Sequence, residues 1–283
     1  MTTAEAKTIF REQLQGLYDT AELDAMLRIV MEEVMHYSPV DVVLREGEQL
    51  PEFFDARLAN IIDRLRRHEP LQYILGVALF HGHRFKVTPA TLIPRPETEQ
   101  LVDLVLDRWG HHEDLRVLDL GTGSGCIAIS LARALKFAQV TGVDISHEAL
   151  AVARDNAAAL KARVRWVEAD LLEMPPMAAD SVDLVVSNPP YIAMSERAAM
   201  DRNVLDYEPA DALFVPDNDP LRFYRTIAAL ARTALAEGGM VYLEISQYRG
   251  PAVAELMRQA GFADVSLLSD SFGNHRFVTA IKR

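Results

Sequence analysis

Beyond Leu115, short apolar runs alternate with longer amphipathic ones, and this alternation restricts the chain more than any other feature. "RVLDLG", "QVTGVD", "VRWVEAD" and "VDLVVSN" read as strands, with "GCIAISLARAL" and "SHEALAVARDNAAAL" as helices among them. A helix around "PLRFYRTIAALARTAL" follows, then the strand "GMVYLEIS", the helix "PAVAELMRQAG" and the strands "ADVSLLSD" and "HRFVTAIKR". Strands that are apolar throughout must be covered on both faces, so the pattern predicts an α/β fold with a mostly parallel sheet. Only "SFGN" separates the last two strands, too little for a crossover, so they are expected to pair antiparallel at the end of the sheet.

Upstream the pattern differs. Leu14, Leu17, Tyr18, Leu23, Met26, Leu27, Val30, Val34, Phe53, Phe54, Leu58, Ile61, Ile62 and Leu65 recur at helical spacing, so a small all-α N-terminal domain is predicted. "LQYILGVALFHGHRFKVTPATLIPRPETEQLV" then turns to β-branched and aromatic residues broken by Gly76, Gly82 and Pro89, the pattern of a linking β-hairpin. The expected division is a helical domain over 1–74, a hairpin over 75–95 and a catalytic domain over 96–283. Pro94 and Pro96 are expected to stop the strand, with the next helix starting at Glu97 or Thr98.

The 283 residues carry a net charge of −12, and both parts are acidic: Lys+Arg against Asp+Glu is 9 against 14 over residues 1–84 and 20 against 27 over the rest. Non-specific nucleic-acid binding rests on cationic contacts to phosphates, so direct binding of DNA or RNA is not expected. No apolar run approaches the roughly 20 residues that span a bilayer, and "MTTAEAKTIFREQLQ" has no cationic start followed by an apolar run. The single cysteine, Cys126, excludes an internal disulfide and a cysteine-clustered zinc site. A cytoplasmic monomer without metal or membrane contact is the expectation.

"VLDLGTGSGCIAI" places Gly121, Gly123 and Gly125 between a strand and a helix, with Thr122 and Ser124 interleaved. Missing β-carbons there let backbone approach a ligand. The spacing is G-x-G-x-G and not the dinucleotide form G-x-G-x-x-G, and Asp119 stands just before it, where a carboxylate repels phosphate and suits a cationic or amino-bearing ligand. Asp144 ends the next strand, nineteen residues after Gly125, the position of an acid that hydrogen-bonds ribose hydroxyls; Ile145 follows it. Asp170 ends the third strand, within reach of an adenine amino group, with Leu171 beside the ring. Taken singly, Asp144 reads equally well as a helix cap.

"VVSNPPYIA" ends the fourth strand with Asn188, two residues that lack an N–H, and an aromatic ring. Asn188-Pro189-Pro190 is therefore stiff and rich in acceptors, suited to receiving both hydrogens of an NH₂ group, and Tyr191 offers a flat face for a planar group. Two acceptors that hold both N–H bonds out of plane favour the pyramidal nitrogen that attacks a sulfonium methyl, a gain realised in the transition state. No general base is needed.

The glycine loop and the strand-end acids resemble those of the class I AdoMet-dependent methyltransferases, over roughly Leu115 to Arg283. This resemblance implies a Rossmann-like sheet and S-adenosyl-L-methionine as cofactor, bound by Asp119, Gly121, Thr122, Gly123, Ser124, Gly125, Asp144, Ile145, Asp170, Leu171 and Asn188, with S-adenosyl-L-homocysteine as product. "LIPRPETEQLV" together with the helical N-terminal domain and "SNPPYI" further resembles the release factor glutamine methyltransferase family, over nearly the whole chain. That likeness implies methylation of the glutamine side-chain amide in the Gly-Gly-Gln motif of class I peptide chain release factors. Asn188, Pro189, Pro190 and Tyr191 would be catalytic, and these four with Arg95, Pro96, Glu97 and Thr98 would meet the substrate.

The Asn-Pro-Pro-Tyr motif is shared with ribosomal protein L3 glutamine methyltransferases and with DNA amino-methyltransferases, and both stay open as alternatives, as does a cofactor binder without catalysis. "PRPET" favours the release factor enzyme over the L3 enzyme. Pro216 and Asp217 depart from the glycine-rich loop of many family members, and "NVLDYEPADALF" is expected to be a mobile cover over the substrate. His81, His83, His111 and His112 lack metal-ligand spacing, and Cys126 reads as a small packing residue.

Overall fold

The computed structural model describes all 283 residues, which divide into two compact units. The smaller comprises Met1–Gly76 and the later segment Asp201–Tyr207; the larger comprises Val77–Met200 and Glu208–Arg283.

The smaller unit begins with helices α1 (Thr3–Leu14), α2 (Thr20–Met35), α3 (Pro39–Leu44), α4 (Glu52–Leu65) and α5 (Leu71–Leu75). The starts of α1 and α2 are marked by capping side chains. Thr2 accepts from the Glu5 N–H while the Glu5 carboxylate accepts from the Thr2 N–H, and Asp19 accepts from the Glu22 N–H. Phe10, Leu14, Met31, Phe54, Leu58, Ile61 and Leu65 form its core. Burying each such side chain contributes about 1.5–3 kcal/mol.

The larger unit opens with the hairpin β1 (Val77–Phe80) and β2 (His83–Lys86), within the segment read from the sequence as a linker over 75–95. Phe80 and Phe85 bury in this unit's core, and the Asn156 side chain accepts from the Lys86 N–H at 2.7 Å and donates to the Lys86 carbonyl at 3.0 Å. Helix α6 (Pro96–Trp109) begins at Pro96, earlier than the sequence reading placed it. Proline lacks the N–H that a first helical residue leaves unused, so Pro96 ends the extended segment and starts the helix.

The sheet follows as β3 (Arg116–Leu120), α7 (Cys126–Ala134), β4 (Gln139–Asp144), α8 (His147–Ala159), β5 (Val164–Glu168) and β6 (Val182–Ser187). Then come β7 (Ile192–Ala193), α9 (Arg202–Tyr207), which belongs to the smaller unit, β8 (Phe214–Val215), α10 (Arg222–Ala234), β9 (Leu235–Glu244), α11 (Gly250–Gln259), β10 (Ala263–Ser269) and β11 (His275–Ile281). The seven-stranded order is β10-β11-β9-β6-β3-β4-β5, with β11 antiparallel to both neighbours and every other pairing parallel. The predicted antiparallel pair is present, but β11 occupies an interior slot between β9 and β10.

Both faces are covered. Val185, Val241 and Leu243 pack with Tyr224, Ile227, Val253 and Met257 of α10 and α11. Leu184, Val186 and Tyr242 pack on the opposite face with Leu101 and Val105 of α6 and Ile127 and Leu131 of α7. The buried tyrosines keep their hydroxyls paired: Trp109 Nε1 donates to Tyr242 Oη at 2.8 Å, and Tyr224 donates to the Glu244 carbonyl at 3.1 Å.

Candidate active site at the strand switch point

The chain runs outward from β3 through β4 to β5 and returns at β6 on the other side of β3, so β3 and β6 flank the point where strand order reverses. Ligands of open α/β sheets bind beyond the carboxyl ends of strands at such a point. Leu120 and Ser187 are register partners there, and Ser187 Oγ donates to the Leu120 carbonyl at 2.6 Å. The next residues of the two strands are Gly121 and Asn188. A β-carbon on Gly121 would lie 3.9 Å from the Asn188 carbonyl oxygen, so the glycine loop and the Asn-Pro-Pro-Tyr segment are direct neighbours.

The three glycines of the loop have φ of +73°, +54° and +80°, a region that favours glycine. Their surroundings separate their tasks. A β-carbon on Gly125 would come within 2.9 Å of the Trp166 ring and 3.1 Å of the Ala153 β-carbon, so that glycine makes room for α8 and β5 and not for a ligand. One on Gly123 would meet nothing within 4 Å, which leaves open space beside it. The Gly121 and Thr122 N–H groups both donate to the Val143 carbonyl at 2.9 Å, and the buried Ser124 has its carbonyl held by Asn156 at 2.9 Å.

Asp119 lies wholly out of water. Its Oδ2 accepts from Thr122 Oγ1 at 2.6 Å and from the Ala128 N–H at 3.2 Å, clamping the loop to α7, while its Oδ1 has no partner. Burial pushes its pKa up to about 7, against the opposing hydrogen bonds from Thr122 and Ala128. Asp144 accepts from the Gly123 N–H at 2.8 Å and from the Ser146 N–H at 2.9 Å. Burial raises its pKa and these backbone donors oppose the rise. The cap of α8 is Ser146, which accepts from the Ala149 N–H, so Asp144 is not a helix cap. Asp170 accepts from the Leu172 N–H at 2.8 Å, Leu171 is buried and Ile145 is 60% exposed. Cys126 is buried, with its thiol pushed up to about 12, and packs in the core.

Beside Asn188 lies a relay of side chains. Asn188 Nδ2 donates to Thr98 Oγ1 at 3.2 Å, Thr98 Oγ1 donates to Glu244 Oε2 at 2.7 Å, and the Tyr191 hydroxyl donates to Glu244 Oε1 at 3.1 Å. Thr98, expected to face substrate, is buried and has its hydroxyl engaged on both sides. Burial raises the pKa of Glu244 and also that of the Tyr191 phenol; for Glu244 the Thr98 bond, the nearby Arg276 charge and the Tyr191 bond act against the rise.

Arg95 pairs with buried Glu208, which also accepts from the Ile93 N–H at 3.1 Å. Glu208 lies inside the "NVLDYEPADALF" stretch, where a mobile cover was expected. The stretch carries regular structure, with Glu208 bonded to the Ile93–Arg95 turn and β8 paired with β7. Pro96 is exposed at the start of α6, Glu97 is half-buried beside it, and His81 pairs with Asp103 on the surface.

A methyltransferase domain model matches residues 117–206, and a PrmC N-terminal domain model matches residues 5–76. The solved 16S rRNA N2 G1207 methyltransferase of T. thermophilus (RsmC), in complex with AdoMet and guanosine, shares the fold with a TM-score of 0.53 at 20% identity, covering 73% of this chain and 50% of that one. Sheet order, glycine loop and domain match together define a class I AdoMet-dependent methyltransferase.

Among curated relatives, the release factor glutamine methyltransferase of Bacteroides thetaiotaomicron is 43% identical over 270 residues, covering 95% of this chain and 96% of that protein. That of Flavobacterium psychrophilum is 38% identical over 275 residues, covering 96% of each. The chain belongs to the release factor glutamine methyltransferase family. No helix is long and apolar enough to cross a membrane.

Sequence reasoning passed over Glu244, Glu208 and Ser187. Glu244 had a usable signal, since it ends a strand just as Asp144 does. Glu208 and Ser187 had none, because nothing local distinguishes a buried acid in "DYEPA" or a serine ending a strand.

Proposed function

We propose that this chain transfers a methyl group from S-adenosyl-L-methionine to the side-chain amide nitrogen of the glutamine in the Gly-Gly-Gln motif of class I peptide chain release factors. The observation that carries this reading is the adjacency of Gly121 and Asn188 across the switch point, which sets a cofactor loop against a stiff, acceptor-rich segment.

The residues of the loop fit the cofactor. The orphaned Asp119 Oδ1 and the open space beside Gly123 suit an amino-bearing ligand, Asp144 stands one strand over for ribose hydroxyls, and exposed Ile145 with Leu171 offers apolar surface for a base. S-adenosyl-L-methionine, when bound, supplies an electrophilic methyl on a positively charged sulfur. The chain's own task is then to hold the amide. Asn188 Oδ1 and the proline-flanked carbonyls accept its N–H bonds, Tyr191 limits its plane, and no residue need remove a proton before attack. Arg95 to Glu97 would border the substrate, and the helical unit would grip the release factor. The cofactor needs no metal, and the reaction belongs in the cytoplasm with a monomeric enzyme.

Labelled S-adenosyl-L-methionine offered in parallel to a release factor, ribosomal protein L3 and duplex DNA tests the reading, with the modified atom mapped afterwards. Label on the release factor glutamine nitrogen is expected; predominant label on L3 or DNA overturns it. Asn188→Ala should cut turnover far more than cofactor affinity.

A further inference from the structure

We infer that Glu244 is a positioning residue which, through Thr98, fixes the direction of the Asn188 amide so that its oxygen and not its nitrogen faces the glutamine substrate. The inference rests on the function proposed above, and adds a residue whose effect is transmitted through a hydroxyl.

A threonine hydroxyl has one proton. Thr98 commits it to Glu244 Oε2 at 2.7 Å, so toward Asn188 it can only accept. The Asn188 atom 3.2 Å away must therefore be the NH₂ group, which leaves Oδ1 on the other side of the amide. Glu244 is held as an acceptor from both ends, because the Tyr191 hydroxyl donates to its other oxygen at 3.1 Å. The Thr98–Glu244 part of the relay is closed to water, with Glu244 1% exposed and Thr98 3%, while Asn188 is half-buried. Reversing Asn188 would set its Oδ1 against the Thr98 oxygen, two acceptors with no proton between them, the unfavourable case for a buried polar group. The chemistry makes this direction matter. A glutamine NH₂ presents donors, and an Asn188 turned the other way would present donors in return.

A glutamate in place of the target glutamine distinguishes the two directions, since a carboxylate is disfavoured by Oδ1 and favoured by Nδ2. The test measures turnover of a release factor by the full chain, and inhibition by the same release factor carrying the target Gln→Glu change. Glu244→Gln introduces an amide that can donate to Thr98 and so reverse the relay. It is expected to lower kcat by about ten- to a hundredfold and to tighten inhibition by the glutamate form about tenfold, the range of one charge-assisted hydrogen bond. Cofactor Kd should move by less than about twofold, since no hydrogen bond to the cofactor is removed.

Thr98→Val removes the relay, so kcat should fall in the same way, while Thr98→Ser keeps the hydroxyl and should lose at least about tenfold less. This pair decides the matter should Glu244→Gln fail to fold. A fall in kcat with unchanged preference between glutamine and glutamate forms, or Thr98→Val turning over like Thr98→Ser, overturns the inference. A wild-type chain that methylates no release factor glutamine would instead defeat the proposed function, a separate and distinguishable result.

Discussion

The Arg95 guanidinium and the Glu208 carboxylate form an ion pair between residues 113 apart in sequence, with the carboxylate side chain 1% exposed and the guanidinium 33%. Glu208 also accepts the Ile93 N–H, so one acid holds two points of the turn before α6. Removing one partner of such a pair strands the other, at a cost of about 2–4 kcal/mol here, since Arg95 retains some water. Glu208→Ala is expected to lower stability by that amount in urea unfolding followed by circular dichroism. A midpoint equal to wild type would show that the pair holds nothing in place.

Gly123 and Gly125 should respond differently to alanine. At Gly123 the cost is the left-handed backbone alone, about 1–2 kcal/mol, because no atom lies near the added carbon. At Gly125 the same strain is joined by overlap with the Trp166 ring and Ala153, so the loss should exceed about 3 kcal/mol. Gly123→Ala is expected to stay folded and to bind cofactor at least about tenfold more weakly, one lost hydrogen bond or close contact. Thermal unfolding and titration calorimetry read both quantities, and equal destabilisation of the two variants would contradict the assignment.

Asp119 makes stability depend on pH in the direction opposite to most carboxylates. Its folded pKa, about 7, lies above the ordinary value of 3.8, so between these values the native state binds more protons than the unfolded chain. Linkage then requires this group's contribution to be fully present below pH ~4 and lost as pH rises through about 7, a change on the order of 4 kcal/mol. Asp119→Asn should remove that slope. The comparison is the difference between wild type and variant in urea midpoint from pH 4 to pH 8, which cancels the other acids; a flat difference would refute it.

Tyr191→Phe removes the hydroxyl that donates to Glu244 but leaves the ring and the Thr98 branch of the relay. A stability loss of about 1–2 kcal/mol is expected from the unpaired carboxylate oxygen. Turnover should fall less than in Asn188→Ala, since the ring face persists. Side-by-side initial rates at saturating cofactor check the order, and a reversed order would shift the weight of the site from Asn188 to the phenol.

Much of the larger unit was legible because its strands are mostly apolar and its helices amphipathic; β3, β4, β5 and β6 fall where those runs predict, while β9 starts at Leu235, inside the segment read as the end of a helix. Asp144 was legible for a related reason, since a charged residue closing an apolar run is conspicuous; Asp170, read as the end of the third strand, instead lies two residues beyond β5, which ends at Glu168. Contacts between distant segments were not. Thr98 and Glu244 are 146 residues apart and Thr98 and Asn188 are 90 apart, so no local pattern joins them. Gly125 was visible as part of a motif, but the Trp166 ring that requires it was not. The two-residue strands β7 and β8 are too short to show a period at all.

The interior place of β11 bears on the order in which the sheet can be completed. Until residues 275–281 have been made, β9 has a bare edge and β10 has no neighbour, although every other strand of the sheet already exists. Phe277 lies opposite Glu244 in the register, so shelter for that acid arrives only with β11. A chain made only as far as β10 would thus carry the glycine loop and the Asn-Pro-Pro-Tyr segment with that carboxylate still wet, and competence would come only once β11 has slotted in between β9 and β10.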